Sequence, residues 1–398
     1  MARHHVAAGI LASVMVVGLG AMMVWREVGP SYRRRPRPET SLHAPLDMTM
    51  SGYDAQNHYT YEKGFVTDEA HLYWLSSPAF GTPLAKNGSP IDVFSQPLAG
   101  GAVAKLGGLD GGERAGALGS LAIMGDGVYF VAGGFAGSEG AQQLYRVPKS
   151  GGPPQVVAMP AAGFDRPALV ATREAVYWLT TARTQSGDGE TIFSEELHAL
   201  PAGATEPRVL AKFPAQEAPE RLEARGTAVA VLARTPETGS LDRHVIVFVI
   251  DGLGAPLRKI FDTTEQSEAT FALGDHYAFL MLGRPLETSG PAPLLAVPLA
   301  GGAPKRLATL TQLSSIAAMG DDPVVADDEY PKDHPSWLDK KARSLVLRRF
   351  DVAAGTSVTI LRTDASFLSP EAAQGSRVLF AQGAEGWNTR WWRMMDAR

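Results

Sequence analysis

Eight residues in the turn-rich connecting segments of this chain carry side chains from which a binding or catalytic site could be built. They are Arg114, Asp165, Arg166, Glu220, Arg221, Asp327, Asp328 and Trp387. Carboxylates beside guanidinium groups can recognise peptides and sugars through charge-assisted hydrogen bonds, or act as acid and base in a lyase or hydrolase. Any one of them alone is better explained as a solvated loop side chain, so only the set predicts a site.

The acid-rich segment ADDEYPKDH (326–334) could supply oxygen ligands to a divalent cation. It lacks the alternating ligand spacing of a calcium loop, and three lysines lie in or near it. The chain has no G-x-S-x-G elbow, H-E-x-x-H helix, phosphate loop or dinucleotide fingerprint. We therefore predict no metal ligands, no cofactor and no catalytic residue. A catalytic site assembled from separate segments would leave no local motif, so an enzyme remains an alternative.

The composition excludes several classes of protein. The chain has 398 residues, a net charge of −5 and no cysteine. Without a broad basic surface we predict no nucleic-acid partner. Without thiols the chain forms no disulfide, zinc–thiolate site or thiol nucleophile. Its 42 glycines and 28 prolines stand in short clusters between apolar runs, which is typical of many turns joining many strands.

The first 45 residues differ from the remainder. Residues 1–5 are a short flank, and residues 6–25 are an uncharged stretch long enough, as a helix of about 30 Å, to cross a bilayer. We predict an uncleaved membrane anchor, with a cleaved signal peptide as the alternative, because the apolar stretch is long and ends without a small-residue cleavage site. Residues 26–45 are a basic, proline-rich linker, and residues 46–398 form the globular part.

The orientation of this anchor is open. Five arginines follow the apolar stretch, and the positive-inside rule would place the C-terminal side in the cytoplasm. The lack of cysteine instead fits an oxidising compartment. We predict a cell-envelope protein whose globular part is extracytoplasmic.

One turn phrase recurs along the globular part with a period near 50 residues, as expected for a β-propeller. Apolar or alternating strands flank each copy. The copies are PLAGGA (97–102), PKSGGP (148–153), PAGATE (201–206), IDGLGA (250–255), PLAGGA (298–303) and DVAAGT (351–356).

A further hairpin precedes each phrase, so the repeat contains four strands. The first hairpins are at 65–76, 121–132, 169–180, 222–233, 271–282, 316–327 and 368–382. Since the seventh lacks a complete second hairpin, we predict a seven-bladed all-β propeller in which residues 46–61 close the last blade. A six-bladed ring is the alternative, because the repeat at 313–363 is the least regular.

The aromatic pairs in these repeats carry a family resemblance. LYWL (72–75), VYFV (128–131) and VYWL (176–179) resemble the YWTD-type propeller repeat. LYRVPKSGG and AVPLAGG are similar to blades of bacterial extracytoplasmic TolB-like and YWTD-like propellers. The resemblance covers residues 46–396 and implies a propeller whose large rings fill the space between blades. The acidic fourth residue of YWTD is absent, so no ligand residue is transferred.

The two faces of such a propeller should differ. The turns within each hairpin are short and emerge on one face, whereas the connections on the other face are long, and long loops carry most binding sites. We predict that this face binds a protein, peptide or glycan. A lyase or hydrolase with acidic and arginine residues at the channel mouth is one alternative, and a structural envelope scaffold is another.

Overall fold

Seven antiparallel sheets form a ring in the computed structural model, which confirms the seven-bladed β-propeller and excludes six blades. Every regular element in the described part of the chain is a strand. The structure describes residues 40–41, 58–78, 91–110, 116–133, 143–158, 169–185, 191–214, 217–235, 244–263, 268–283, 291–311, 314–329, 344–365, 367–383 and 390–397.

Each blade takes its strands in chain order. Blade 1 contains β2 (His58–Thr67), β3 (His71–Pro78), β4 (Ile91–Pro97) and β5 (Ala104–Leu109). Blade 2 contains β6 (Gly116–Met124), β7 (Gly127–Gly133), β8 (Gln143–Pro148) and β9 (Gln155–Ala158). Blade 3 contains β10 (Leu169–Ala171), β11 (Ala175–Gln185), β12 (Thr191–Pro201) and β13 (Arg208–Phe213). Blade 4 contains β14 (Ala218–Arg225), β15 (Ala228–Arg234), β16 (Val245–Asp251) and β17 (Arg258–Thr263).

The remaining blades follow the same plan. Blade 5 contains β18 (Glu268–Leu273), β19 (Tyr277–Gly283), β20 (Ala292–Pro298) and β21 (Lys305–Leu310). Blade 6 contains β22 (Ile316–Met319), β23 (Asp322–Glu329), β24 (Ser344–Asp351) and β25 (Thr356–Thr363), and its outer edge pairs with β1 (Thr40–Ser41). Blade 7 contains β26 (Phe367–Gln374), β27 (Arg377–Gly383) and β28 (Arg390–Asp396).

The first strands of the blades surround the axis. Each contacts the first strand of the next blade, and β26 contacts β2, so the ring is complete. The fourth strands therefore lie at the rim.

The hydrophobic core is divided into seven seams, one between each pair of neighbouring blades. Side chains alternate along each second strand, because successive strand residues point to opposite faces. In β3, Tyr73 packs against blade 2 while Trp74 packs against blade 7. Trp74 and Trp178 are among the largest fully buried side chains, which confirms that the aromatic repeat residues fill the seams.

A β-bulge recurs where the third strand pairs with the fourth, and in all six complete blades it falls at the same position of the repeat. The extra residue on the fourth strand is always aliphatic, and it packs into the seam with the following blade. We call these residues the bulge wedges. They are Leu106, Val157, Leu210, Ile260, Leu307 and Ile360.

The short turns lie together on one face, which we call the tight-turn face. In blade 1 the backbone nitrogen of Leu98, in the second hairpin, donates to the carbonyl of Ala70, in the first, at 2.8 Å, and other blades repeat this bond. Gly125 and Gly301 have φ angles of 58° and 90°, a region that favours glycine. The opposite face, where the second strands end and the third begin, is the long-loop face.

The predicted closing strand requires a correction. Residues 58–61 belong to β2, the innermost strand of blade 1, and therefore cannot complete blade 7. Tyr59 and Thr60 pair with β3, because β2 extends beyond a bulge that the sequence pattern did not reveal. Residues 46–57 lie outside the described residues.

The predicted anchor at residues 6–25 and linker at 26–39 also lie outside the described residues, as do linker residues 42–45. In the described part of the chain, no helix has the length and apolar character that membrane spanning requires. Residues 1–39 form a unit separate from residues 40–398.

Candidate functional site

The long connections all leave the sheets on the long-loop face. The two longest join second to third strands, at residues 79–90 in blade 1 and 330–343 in blade 6. The described site consists of the strand ends beneath these connections. Of the eight predicted site residues, Arg114, Asp165, Arg166 and Trp387 lie outside the described residues.

Glu220 and Arg221 lie in β14, not in the connection that precedes it as predicted. The bulge between Pro219 and Arg221 makes Glu220 the extra residue of the innermost strand. Bulges re-aim side chains and are common beside functional sites. Glu220 forms an ion pair with the Nε of Arg234 at 3.0 Å, and both side chains are less than one-fifth exposed.

The same arrangement occurs in blade 7, where the sequence did not single it out. β26 has its bulge between Pro370 and Ala372, which makes Glu371 the extra residue. The signal in the sequence is a Pro-Glu pair at the same position of two repeats, Pro219-Glu220 and Pro370-Glu371. Two blades thus present a glutamate from a bulged innermost strand.

Asp327 and Asp328 lie in β23, which corrects the prediction that they belong to the loop after it. Their side chains are buried, with 4% and 6% exposure. Burial of Asp327 is possible because Thr311 donates to its Oδ1 twice, from the backbone nitrogen at 3.0 Å and from Oγ1 at 2.8 Å. Buried carboxylates need such partners.

Arginines complete this cluster in blade 6. The guanidinium of Arg348 lies 3.9 Å from Oδ2 of Asp327 and 3.6 Å from Oε1 of Glu329. Arg362 donates from Nε to Oε2 of Glu329 at 2.7 Å. Asp327 and Asp328 are successive strand residues and point to opposite faces of the sheet, so their carboxylates do not converge on one reacting atom.

A third polar cluster, around His198 in β12, lies in blade 3 and was not predicted as a site. The Nε2 of His198 lies 2.9 Å from Oγ1 of Thr180 and 3.1 Å from Oε2 of Glu196. Its ring stacks on Trp178 with 5.7 Å between centroids. The nitrogen of Lys212 lies 2.7 Å from Oε1 of Glu196.

The protonation states in this cluster follow from its surroundings. Burial lowers the pKa of His198, against the opposing influence of Glu196. The hydrogen bond from Lys212 lowers the pKa of Glu196, although burial opposes it. At neutral pH the imidazole is therefore neutral and the carboxylate charged. The sequence could have revealed this cluster by comparison of the repeats. His198 occupies a third-strand position at which blades 1, 2 and 4 carry the aromatic residues Phe94, Tyr145 and Phe248.

Hydroxyl groups link the innermost strands of blades 5, 6 and 7 at their long-loop ends. Thr270 donates to the carbonyl of Ser314 at 2.6 Å, and the hydroxyls of Ser315 and Ser369 lie 2.6 Å apart. These contacts add neutral hydrogen-bonding groups to the inner rim of the face. Within the described residues, no group of three or more histidine or acidic side chains could hold a metal ion.

No protein-family model and no curated protein sequence matches this chain. Solved propellers do: oligogalacturonate lyase from Vibrio parahaemolyticus matches with a TM-score of 0.53 and 11% identity over 92% of this chain and 98% of that one. The propeller domain of the trilobed protease from Pyrococcus furiosus, described as having an open velcro topology, matches with a TM-score of 0.53 and 10% identity over 86% and 94%.

A TolB structure from Acinetobacter baumannii is also similar, with a TM-score of 0.36 and 11% identity over 81% of this chain and 79% of that one. At such identities the similarity concerns the fold and leaves the activity undetermined. The propeller that the TolB-like and YWTD-like repeat phrases imply is the fold of this chain.

Proposed function

We propose that this propeller is a binding module, which engages a protein, peptide or glycan partner through its long-loop face. One observation carries the proposal: the long connections between second and third strands all leave the ring on the same face, while the described residues of the opposite face form short turns. Loops displayed together on a rigid scaffold are the usual architecture of a recognition surface.

The polar clusters beneath the loops support binding over catalysis. Glu220, Glu329 and Glu196 each have a cationic partner within 3.0 Å. Carboxylates whose oxygens are engaged by arginine or lysine side chains of the same blade hold strand ends in position. The clusters therefore provide stiff supports from which the loops extend.

We further propose that residues 6–25 attach the propeller to a membrane and that the propeller is extracytoplasmic. The length of the uncharged stretch and the lack of cysteine in all 398 residues support this placement. A reporter enzyme fused after Arg398, active only outside the cytoplasm, would test it. Activity of the reporter inside the cytoplasm alone would contradict the extracytoplasmic placement.

The binding proposal can be tested on the full-length chain with two immobilised probe sets, a random linear peptide library and a glycan array that includes oligogalacturonides. Replacing residues 331–342 by a glycine–serine segment of equal length should weaken any selected interaction by roughly tenfold or more. Glu206→Gln, in a short turn of the opposite face, is the matched control and should leave binding unchanged. Equal loss in both variants would contradict the assignment to the long-loop face.

Oligogalacturonate cleavage is a second candidate function, favoured by a match that covers nearly the full length of both chains. A β-elimination in this class would abstract a proton from the uronate ring and release an unsaturated product. Incubation of the full-length chain with trigalacturonate, followed by the short-wavelength ultraviolet absorbance of the conjugated double bond in that product, tests it. If product forms and Glu220→Gln or His198→Phe abolishes its formation, the propeller is a lyase and the binding proposal is wrong. If no product forms, the propeller binds its partner without cleaving it.

A further inference from the structure

The outer edge of blade 5 is open and cationic. β21 is the last strand of its sheet, and no described strand pairs with its outer side. It begins with Lys305 and Arg306, both of which are exposed. We propose that this edge binds an extended, acidic segment of a partner protein, which adds a fifth strand to blade 5. The edge lies on the rim of the ring, so this inference is independent of the proposed binding through the long-loop face.

The neighbouring blade shows that an edge of this propeller can pair with an added strand. In blade 6, β1 lies antiparallel to β25 and pairs with residues 361–362. β25 carries Val358 and Thr359 at the two positions that precede its bulge wedge, where β21 carries its two cations. An open strand edge offers backbone donors and acceptors to a further strand. The rim is therefore suited to strand addition, and charge distinguishes one edge from another.

Fourth strands of other blades also carry cations, which oppose pairing with a neutral or basic strand of another molecule. On three of those strands, a lysine forms an ion pair with an acid of the same blade. The pairs are Lys105 with Asp92 at 2.8 Å, Lys212 with Glu196 at 2.7 Å, and Lys259 with Asp262 at 3.1 Å. A cation at an edge can thus oppose pairing even when an acid of its own blade compensates its charge.

The two cations of β21 have no acidic partner among the described residues. Lys305 donates from Nζ to the carbonyl oxygen of Val352, and Arg306 donates from Nη2 to Oγ1 of Thr309. Both acceptors are neutral, so the two positive charges remain uncompensated. The sequence between positions 291 and 320 contains no aspartate or glutamate. The edge of blade 5 therefore carries a positive charge that an acidic partner can neutralise.

A third cation extends toward the same edge from blade 4. Arg258, at the start of β17, is exposed, and its Nη2 donates to the carbonyl oxygen of Leu299 at 3.1 Å. Leu299 lies in the turn that precedes β21. Three cations from two blades thus lie around the start of β21. An acidic strand gains charge-assisted contacts there, whereas a basic strand is repelled, so the edge selects its partner by charge.

The positions of Lys305 and Arg306 define the pattern of acids that the partner needs. Lys305 pairs with Ala296, which is buried in the seam with blade 6, and Arg306 pairs with Leu295, which packs in the seam with blade 4. The two cations therefore project to opposite sides of the sheet. Residues directly opposite them on an added strand share these sides, so the partner should carry two successive acidic residues.

The direction of the added strand places these acids. An antiparallel strand, like β1 on β25, would run toward the end of the blade at which β21 begins. Because Lys305 and Arg306 are the first residues of β21, the two acids should lie in the C-terminal half of the partner segment.

Binding of a synthetic peptide to the full-length chain tests the proposal. The probe is a fluorescein-labelled peptide in which threonine and valine alternate and a Glu-Glu pair stands near the C-terminus. Fluorescence anisotropy should detect saturable binding that weakens as salt is added. Lys305→Glu with Arg306→Glu should weaken binding by roughly tenfold or more, because the reversed charges repel the peptide.

The matched control is Lys105→Glu with Arg208→Glu. It reverses the same number of charges, on the fourth strands of blades 1 and 3, and should leave the affinity unchanged. Circular dichroism should show that both double variants retain the fold. Equal loss of affinity in the two double variants would contradict the assignment to blade 5, and so would the absence of saturable binding to the natural chain at low salt.

A second peptide separates strand addition from simple attraction between charges. It keeps both glutamates, but prolines replace alternate residues, so its backbone cannot pair along a strand. It should bind several-fold more weakly, and only the first peptide should slow hydrogen exchange of the β21 amides. Equal binding of the two peptides would overturn the proposal. Binding of anionic phospholipid vesicles that is lost in Lys305→Glu with Arg306→Glu would also overturn it, because the edge would then attract any anionic surface.

Discussion

The two faces of the propeller use charged side chains differently. On the tight-turn face they bridge neighbouring blades: Lys149 of blade 2 contacts Asp68 of blade 1 at 2.7 Å, and Arg225 of blade 4 contacts Asp275 of blade 5 at 2.7 Å. Arg377 of blade 7 donates to the carbonyl of Leu98 in blade 1 at 2.9 Å. The charged side chains of this face therefore hold neighbouring blades together.

On the long-loop face most ion pairs stay within one blade. Glu220 and Arg234 belong to blade 4, Glu196 and Lys212 to blade 3. Contacts between blades on this face are made largely by hydroxyl groups, such as Ser315 with Ser369. Ion pairs on the tight-turn face thus connect neighbouring blades, whereas ion pairs on the long-loop face stabilise the strand ends of a single blade beneath its loop.

The largest effect should come from the bridge between blades 1 and 2. Although burial alone would raise it, hydrogen bonds from Lys149 and from the backbone of Ala70 and His71 lower the pKa of Asp68 to about 2. A carboxyl with a depressed pKa stabilises the fold above its unfolded pKa near 4, and this contribution is lost as the pH falls from about 4 to about 2. Asp68→Asn should cost about 2 kcal/mol of unfolding free energy at pH 7.

Denaturant unfolding at pH 7 and pH 3 measures this difference. The variant should lose less stability than the natural chain on acidification. Asp126→Asn is the control, because Asp126 pairs with Arg146 in an exposed turn of the same face and within one blade. Equal losses of unfolding free energy in the two variants would show that the ion pair between blades stabilises the fold no more than the exposed pair within one blade.

The contact between Thr311 and Asp327 also links two blades on the long-loop face, blades 5 and 6. Thr311→Val removes a hydroxyl donor from a buried carboxylate and should destabilise the fold by about 1–2 kcal/mol. Thr309→Val alters an exposed threonine two residues away and should have little effect. Urea titrations of both variants compare them; identical midpoints would mean that Asp327 finds its donors elsewhere.

The cluster around His198 tests whether the long-loop face tolerates change within a blade. His198→Phe restores the aromatic residue found at this position in other blades and should destabilise less than His198→Ala, which opens a cavity beside Trp178. Since its pKa is lowered by burial, neutral His198 stabilises the fold above its unfolded pKa, and that contribution falls away below about pH 6.5. Thermal unfolding at pH 5.5 and 7.5 should show this pH dependence in the natural chain and a weaker one in His198→Phe.

The smallest effect should come from the exposed bridge between blades 5 and 6. The Nδ1 of His276 lies 2.6 Å from Oδ2 of Asp321, and this hydrogen bond raises the pKa of His276. A raised histidine pKa stabilises the fold at low pH, fully below about 6.5, and the contribution disappears as the pH rises through the folded pKa. His276→Gln should lower the melting temperature slightly at pH 6, not at pH 9, and salt should diminish the difference.

The sequence predicted the fold because its signals are local. Glycine turns such as those around Gly301 recur with the repeat, and each lies between two strands that pair with each other. The aromatic residues of LYWL and VYWL likewise report a position in the repeat that is buried in every blade. Seven blades follow from counting first hairpins, since each forms the inner half of one sheet.

The candidate site was predicted less well because its partners are distant in sequence. Asp327 and Asp328 were expected in a loop, since acidic residues before Pro331 are typical of one. Asp327 is accommodated in a buried strand because Thr311 donates hydrogen bonds to its carboxylate and Arg348 lies beside it, and both partners come from other segments of the chain. The inner-strand bulges that redirect Glu220 and Glu371 also leave little trace in the pattern of apolar residues.

The recurring bulge wedge has a consequence for how such a ring can change in evolution. A wedge belongs to one blade, but the socket that receives it belongs to the next, so no single sheet is a self-contained unit. A gene duplication or deletion that includes only part of a repeat would leave a bulge wedge without the seam that receives it. Gain or loss of one complete repeat of about 50 residues, wherever its boundaries are drawn, restores a matching seam for every wedge. Propellers of this type are therefore expected to change in size by whole repeats.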